Sequence, residues 1–157
     1  MKKIYDVGGI LNKGFVGQIS YTICLDQSYE EMSLSFSFDK QYHQSITEDL
    51  KKDLLTECHG QYTTHTATDE LLTKTLKGMK TELQILITMN DQFIGGVHRQ
   101  ANPKNIYFSK TQATEGCIPQ ESIHGVIRVT IIAFSVIQDD TKYKLSLFTN
   151  SKEAADV

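Results

Sequence analysis

Two short segments of this chain carry side chains that could do chemistry, and the first contains a histidine next to an arginine. His98 and Arg99 follow a glycine pair, Gly95 and Gly96, which permits close backbone approach or unusual dihedral angles. The histidine offers a proton donor or acceptor near neutral pH, and the arginine offers a clamp for an anion. No phosphate-loop lysine or fixed glycine spacing is present, so the segment does not indicate nucleotide binding. The structural alternative is a β-bulge with a solvated rim.

The second segment contains His124 and Arg128, which lie four residues apart in a predicted strand. Both side chains would leave the same face of that strand, about 13 Å apart at a rise of about 3.3 Å per residue. This separation excludes direct contact but suits the wall of a pocket. Because the strand around Arg128 is apolar, the guanidinium needs an acidic partner. The candidates are Glu82, Glu115 and Glu121, and a purely structural ion pair is the alternative.

Neither a metal site nor a catalytic nucleophile is predicted. Cys58, His59 and His65 are close in sequence, but adjacent helical residues point about 100° apart and do not easily hold one ion. Cys117 would act as a nucleophile only if a histidine lay beside it in space, and the alternative is a small apolar plug under its loop. We therefore expect no metal and no cofactor, and we assign no catalytic residue.

Composition and charge narrow the class of protein. The 157 residues carry a formal net charge of -3, which disfavours nucleic-acid and membrane partners. Three widely spaced cysteines do not form a disulfide framework and suit a reducing cytoplasm. No apolar run approaches the roughly 18 residues of a membrane span, and no apolar signal-peptide region follows the first lysines. We expect a soluble cytoplasmic protein.

Period-two alternation predicts the first strands. Residues 15–25 and 32–39 alternate between apolar and polar side chains, as half-buried strands do. A short polar segment joins the two runs, so we expect an antiparallel hairpin. The second run is apolar on one face and consists of serine on the other, which predicts that one side of its sheet faces water or a loose cover.

The segment after these strands shows the residue spacing of two helices. Residues 45–48 match a capping box, with Ser45 as the predicted cap of a first helix that ends at Gly60. Thr66 or Thr68 is predicted to cap a second helix. Its apolar residues recur on one face: Leu72, Leu76 and Met79.

Strand patterns return in the second half of the chain, at residues 83–89, 93–97, 106–108, 125–138 and 143–149. The segment 125–138 is apolar on both faces, which predicts a central strand. Residues 109–122 form a long loop of the kind that often serves as a lid or a binding loop.

Strands, then two helices, then strands predict the α+β class. We expect a mainly antiparallel twisted β-sheet of about six to eight strands, with the central pair of α-helices packed on its apolar face. Residues 1–150 are predicted to form a single domain, and residues 151–157 a short solvated tail.

Three classes of function remain open, because no motif matches a known family. The first is a non-catalytic module that binds a small molecule in an apolar cleft, with polar contacts from His98, Arg99, His124 and Arg128. The second is a homo-oligomeric assembly protein, most simply a homodimer, in which a second copy covers the strand edges. The third is a small metal-independent enzyme that uses a histidine as acid or base and an arginine as anion clamp.

Overall fold

A computed structural model describes residues 1–58 and 68–150, which form eight strands and two helices. In chain order these are β1 (Lys2–Leu11), β2 (Gly17–Cys24), β3 (Met32–Phe38), α1 (Glu48–Glu57), α2 (Asp69–Gly78), β4 (Glu82–Met89), β5 (Gln92–Val97), β6 (Lys104–Phe108), β7 (Val126–Ser135) and β8 (Thr141–Thr149). The predicted helix end at Gly60, the alternative cap Thr66 and the predicted tail 151–157 lie outside the described residues.

The strands form two four-stranded sheets. The first sheet has the order β1-β8-β3-β6 and the second has the order β2-β7-β4-β5. Every pairing is antiparallel. The α+β class and the mainly antiparallel sheet structure are thus confirmed, with the strands divided between two sheets. The predicted central strand is also confirmed, since β7 lies between β2 and β4.

Each of the first four strands pairs with the strand at the corresponding position counted from the end. β1 pairs with β8, β2 with β7, β3 with β6, and β4 with β5. These are the pairs of a single long antiparallel hairpin whose bend lies between β4 and β5. Two further pairings, β3 with β8 and β4 with β7, fold this long hairpin on itself so that its strands form two sheets. This arrangement is an eight-stranded jelly roll.

The predicted hairpin between residues 15–25 and 32–39 is wrong. Both segments contain strands, but β2 and β3 belong to different sheets, because Tyr21 pairs with Val129 and Leu34 pairs with Leu147. Residues 25–31 therefore cross between sheets. Closeness in sequence favours a hairpin. In the structure, however, β2 pairs with β7 and β3 with β8, and each of these partners lies more than 80 residues further along the chain.

The core lies between the two sheets, whose apolar faces pack against each other. On β3, Met32, Leu34 and Phe36 are fully buried, while the serines between them point away from the core. Neither helix contributes to the core cluster of the described residues. The second sheet covers the apolar face that we expected the helices to cover.

Both helices begin at threonines. Thr47 caps α1, and its Oγ1 accepts a hydrogen bond from the Leu50 backbone N–H at 3.2 Å, so the predicted cap at Ser45 is two residues too early. Thr68 caps α2, as predicted. No residue of α1 is buried, and Leu76 is the one buried residue of α2. The helices are therefore peripheral to the sandwich.

The loops of the sandwich lie at two ends, which we name the helix end and the cleft end. The helix end carries the β1–β2 loop, both helices, the β5–β6 loop and the β7–β8 turn. There Leu54 of α1 and Leu76 of α2 lie beside Lys13 and Ile137. The cleft end carries the start of β1, the β2–β3 and β4–β5 connections, the long β6–β7 loop and the end of β8.

Candidate functional site

The residues that sequence predicts for a binding site lie at opposite ends of the second sheet: His98, Arg99, His124 and Arg128. The first two follow β5 at the helix end, and the last two lie at the cleft end. On β4, Ile85 lies nearest to His98 and Arg99, and Met89 lies nearest to His124 and Arg128. These two β4 residues are about 13 Å apart at about 3.3 Å per residue. The two pairs do not meet in one pocket.

His98 and Arg99 both contact neighbouring side chains at the surface. His98 Nδ1 donates to Gln84 Oε1 at 2.8 Å. The Arg99 guanidinium pairs with the Glu115 carboxylate, and both side chains are at least 70% exposed. Ion pairs with this exposure contribute about 0–1 kcal/mol to stability. His98 thus contacts β4, and Arg99 contacts the long loop between β6 and β7.

Arg128 pairs with an acid that sequence reasoning did not select. Its Nη1 lies 3.1 Å from Asp91 Oδ1, in the tight turn between β4 and β5. The candidates Glu82, Glu115 and Glu121 are thus not its hydrogen-bonded partners. Arg128 reaches the turn because it points outward from β7 at the position that pairs with Thr88, three residues before Asp91.

His124 does not belong to the strand of Arg128. β7 begins at Val126, and Gly125 between them has a φ of 76°, a conformation that interrupts the strand. The His124 carbonyl accepts a hydrogen bond from Asn90 Nδ2 at 3.2 Å, while its side chain is exposed. The predicted pocket wall of two side chains on one strand face is therefore wrong.

The glycine pair before His98 receives the long loop. Gly96 N–H donates to the Gly116 carbonyl at 3.1 Å, and Ile118 N–H donates to the Ile94 carbonyl at 2.8 Å. A Cβ on Gly95 would lie 2.5 Å from Cys117 Sγ. The loop thus occupies the space that a side chain at Gly95 would need, which explains why this strand contains glycine.

The environment of the Cys117 thiol suits a packing role and not a nucleophilic one. It packs partly buried against the core cluster, and burial raises the pKa of the thiol. A nucleophilic cysteine needs the opposite, a lowered pKa that yields thiolate at neutral pH. The geometry therefore supports the apolar plug that the sequence offered as the alternative.

The long loop closes one side of the sandwich. Besides its bonds to β5, it contacts β6, because Thr114 N–H donates to the Tyr107 carbonyl at 3.0 Å. Tyr107 N–H in turn donates to Thr114 Oγ1 at 2.9 Å. β5 and β6 are the edge strands of the two sheets, so residues 113–118 seal the gap between them.

On the opposite side, between the edge strands β1 and β2, none of the described loops forms such a cover. Within the described residues, no backbone hydrogen bond joins β1 to β2. Leu11 at the end of β1 is buried, but the other apolar side chains that these strands turn towards the core are only partly buried: Ile4, Tyr5, Val7, Ile19, Tyr21 and Ile23. We name this gap the open side.

A tyrosine bridge divides the open side. The rings of Tyr5 and Tyr21 lie 6.4 Å apart, and the hydroxyl oxygens of Tyr21 and Tyr143 are 2.6 Å apart. Burial, followed by the hydrogen bond to Tyr21, raises the pKa of Tyr143, so its hydroxyl stays protonated. The bridge marks the inner limit of the space that remains towards the cleft end.

That space is a cleft of about 450 Å³. A β-bulge at Ile4, where the register of β1 against β8 shifts, turns Ile4 and Tyr5 to the same side of the strand. The cleft is lined by apolar side chains of both sheets and by polar residues at the rim: Lys2, Lys3, Ile4, Ile23, Cys24, Leu25, Asp26, Gln27, Tyr29 and Thr149. Its volume falls within the range of about 300–1,000 Å³ of small-molecule sites, although its lining is more polar than is usual for them.

Sequence reasoning missed this cleft because it missed β1. The signal was present as alternation, since Tyr5, Val7 and Leu11 face inward in the structure. Gly8 and Gly9 interrupt the pattern, and glycine weakens any strand prediction. A side chain on Gly9 would overlap the Tyr143 hydroxyl, so here glycine serves the tyrosine bridge.

The described residues contain no group of three or more histidine, cysteine or acidic side chains that could hold a metal ion. His59 and His65 lie outside those residues. The cysteines Cys24, Cys58 and Cys117 are free, as the sequence predicts. No described helix is long and apolar enough to cross a membrane.

Comparison with known proteins identifies a family and no characterised relative. No curated protein matches the chain. No solved structure matches it either. One family model, described as a family of unknown function (DUF6669), matches residues 1–154. Since this match spans nearly the whole chain, the protein belongs to the DUF6669 family.

Proposed function

We propose that this protein is a non-catalytic module that binds a small amphipathic anion in the cleft between β1 and β2. The observation that carries the proposal is the asymmetry of the sandwich. A loop seals the side between β5 and β6, whereas core-facing apolar side chains remain partly exposed between β1 and β2. A ligand with an apolar tail would complete the core on that side.

The apolar part of the cleft supports the tail. Ile4, Ile23 and Leu25 line it and pack partly buried against the core. Removing apolar surface from water contributes about 25 cal/mol per Å². A hydrocarbon chain laid along these residues would gain this contribution without rearranging the sheets, which their backbone hydrogen bonds hold in place.

The charges at the rim favour an anionic head group. Lys2 is exposed and forms no ion pair or hydrogen bond with the described part of the chain. Lys3 lies 3.5 Å from Asp6 and 5.7 Å from the centre of the Phe148 ring. The acid of the cleft, Asp26, already accepts a hydrogen bond from the Tyr29 hydroxyl at 2.6 Å. The ammonium of Lys2 is thus available for a carboxylate.

Decanoate tests the proposal, with decyltrimethylammonium as a probe of equal tail length and opposite charge. We expect saturating decanoate to raise the Tm by about 5–10 °C, since a ligand at 100 times its Kd contributes about 2.7 kcal/mol. The cation should give a much smaller shift. Differential scanning fluorimetry gives the shift, and isothermal titration calorimetry gives the Kd.

Two variants locate the site. Lys2→Gln should weaken decanoate binding about tenfold, and Ile23→Glu should abolish it by placing a carboxylate on the apolar floor. Lys52→Gln, on the exposed face of α1, is the matched control and should bind like the parent. Equal shifts with both probes, or unchanged decanoate binding in Ile23→Glu, would refute the proposal.

Self-assembly is the second candidate, because the outer face of the second sheet displays large apolar side chains. Phe93 and Phe134 are 52% and 51% exposed, and Leu86 and Ile132 lie half-buried between them. A homodimer would bury this surface. If assembly is the function, sedimentation equilibrium should give twice the chain mass, and Phe134→Glu should give a folded monomer. A monomeric parent at micromolar concentration would exclude this candidate.

The remaining expectations about partners and location stay proposals. A net charge of -3 supports a partner other than nucleic acid or a membrane surface. Three free thiols support a cytoplasmic location. The separation of His98 from His124 supports a binding role over acid–base catalysis, because neither histidine lines the cleft between β1 and β2.

A further inference from the structure

The outer face of the first sheet carries a row of serines at its centre. Ser33, Ser35 and Ser37 point away from the core along β3, which lies between β8 and β6. Serine is a small residue where central strands usually carry β-branched or aromatic side chains. The row extends about 13 Å at about 3.3 Å per residue, and its two flanking strands lie about 9.6 Å apart.

Larger side chains flank the serine row on both sides. Ser33 is paired with Phe148 of β8 and with Tyr107 of β6, and Ser35 is paired with Ser146 and Asn105. Small side chains thus run along the middle of this face, with the aromatic residues Tyr107 and Phe148 on either side of Ser33. We name this surface the serine trough.

The serine trough continues into a polar cleft at its aromatic end. Tyr107 lines this cleft, which has a volume of about 560 Å³ and lies between the β2–β3 connection and the long loop. Its other lining residues are polar or charged: Glu30, Glu31, Ser109, Lys110, Thr111, Gln112 and Glu121. Trough and cleft together form one polar path.

Many polar groups along this path are not used by the fold. Among the described residues, no hydrogen bond is formed by the hydroxyls of the three serines or by the side chains of Asn105, Tyr107 and Gln112. By contrast, Ser146 Oγ donates to Asp6 Oδ1 at 2.5 Å, and Lys110 Nζ lies 2.6 Å from Glu121 Oε1. Glu31 Oε2 accepts a hydrogen bond from Asn150 Nδ2 at 3.1 Å. The hydroxyl and amide groups along the path are therefore available for a ligand.

We propose that the serine trough and its cleft bind a neutral oligosaccharide. Hydroxyl and amide groups donate and accept hydrogen bonds, and so match sugar hydroxyls in both roles. The rings of Tyr107 and Phe148 offer apolar surface to the C–H faces of a pyranose ring. Asp6 is flanked by Lys3 and Lys144, each 3.5 Å away, so the trough does not select a charged ligand. This site lies on the outer face of the first sheet, whereas the proposed anion cleft lies between the sheets; Lys3 lies at the rim of both.

Titration calorimetry with hexasaccharides of glucose (β-1,4, β-1,3 and α-1,4), xylose, mannose and N-acetylglucosamine tests the proposal. We expect at least one of them to bind the full chain, and the affinity to fall at least tenfold in Ser35→Leu and in Tyr107→Ala. Ser35→Leu fills the trough from the outside and does not touch the core. Thr22→Leu, an outward substitution on the second sheet, is the matched control and should bind like the parent.

Failure of every hexasaccharide to bind would overturn the proposal, as would binding that persists in Ser35→Leu. Far-UV circular dichroism and the Tm establish that each variant is folded. Decanoate binding should be the same in Ser35→Leu as in the parent, because the trough and the anion cleft lie on different faces. The two proposals therefore succeed or fail independently.

Discussion

Gly95→Ala should lower the free energy of unfolding by about 1–3 kcal/mol, the range of an overpacked core. The added Cβ would lie 2.5 Å from Cys117 Sγ, 3.0 Å from Cys117 Cβ and 3.1 Å from Phe108 Cζ. The expected sign is the reverse of the usual one, since alanine in a strand is more stable than glycine by roughly 0.5–1 kcal/mol. Urea unfolding followed by circular dichroism measures the change.

The double variant Gly95→Ala/Cys117→Gly tests the cause. Removing the Cys117 side chain should make Gly95→Ala much less damaging in that background, which gives a favourable coupling energy in the double-mutant cycle. Gly78→Ala is the control, because a Cβ there meets nothing within 4 Å. If Gly95→Ala were as stable as the parent, or if its cost were the same without Cys117, the long loop would not close the sandwich as described.

Except for β1, the strand positions followed from the sequence because they depend on local alternation. β3 shows this clearly: Met32, Leu34 and Phe36 are buried and the serines between them face outward. Burial of one face requires this period wherever the partner strand comes from. The sequence also predicted that the serine face meets water or a loose cover, and the three serines are partly exposed.

Strand pairing did not follow from the sequence, because the jelly roll pairs strands that are distant along the chain. β1 and β8, which are the first and last elements, are neighbours in the first sheet. Residues 26–29 contain the polar side chains of a hairpin turn, but they belong to a crossing between sheets in which Tyr29 pairs with Ile123. Local turn chemistry does not distinguish these two outcomes.

The residues that come together in a candidate site depend on strand pairing even more strongly than the strand positions do. Sequence selected residue types that suit chemistry, and topology then placed His98 and His124 at opposite ends. The anion cleft combines Ile4, at a bulge in β1, with Ile23, near the end of β2. Neither residue carries a chemical signal in the sequence, since a partly exposed isoleucine differs from a buried one only through its neighbours in space.

Lys104 provides the second large effect, because it is a buried cation with no carboxylate partner among residues 1–58 and 68–150. Its side chain is 3% exposed on the inner face of β6, opposite Phe36. Lys104 Nζ donates to the carbonyl oxygens of Arg99 at 2.6 Å and Ala101 at 2.8 Å. Lys104→Ala should lower the free energy of unfolding by about 3 kcal/mol, through the lost packing of the stem and two carbonyls left without this donor.

The charge of Lys104 should also appear in the pH dependence of stability. Burial lowers the pKa of Lys104 from the ordinary lysine value of 10.5. Between the lowered pKa and 10.5, the unfolded chain binds the proton more strongly than the folded chain. The contribution of this residue to stability therefore rises as the pH increases through that interval. Tyr143 acts in the opposite direction above pH 10, where its raised pKa keeps the folded state protonated after the unfolded chain has ionised.

Lys104→Met isolates the charge, since it keeps the apolar stem and removes the ammonium. Urea unfolding of both proteins from pH 8 to pH 10 should give a stability difference, parent minus variant, that increases with pH, because only the parent carries the desolvated cation. Lys52→Met, on the exposed surface of α1, should leave the pH profile of the parent unchanged. Parallel profiles for the parent and Lys104→Met would mean that the two carbonyl groups solvate the ammonium as well as water does. Lys104 would then stabilise the β5–β6 loop at no electrostatic cost.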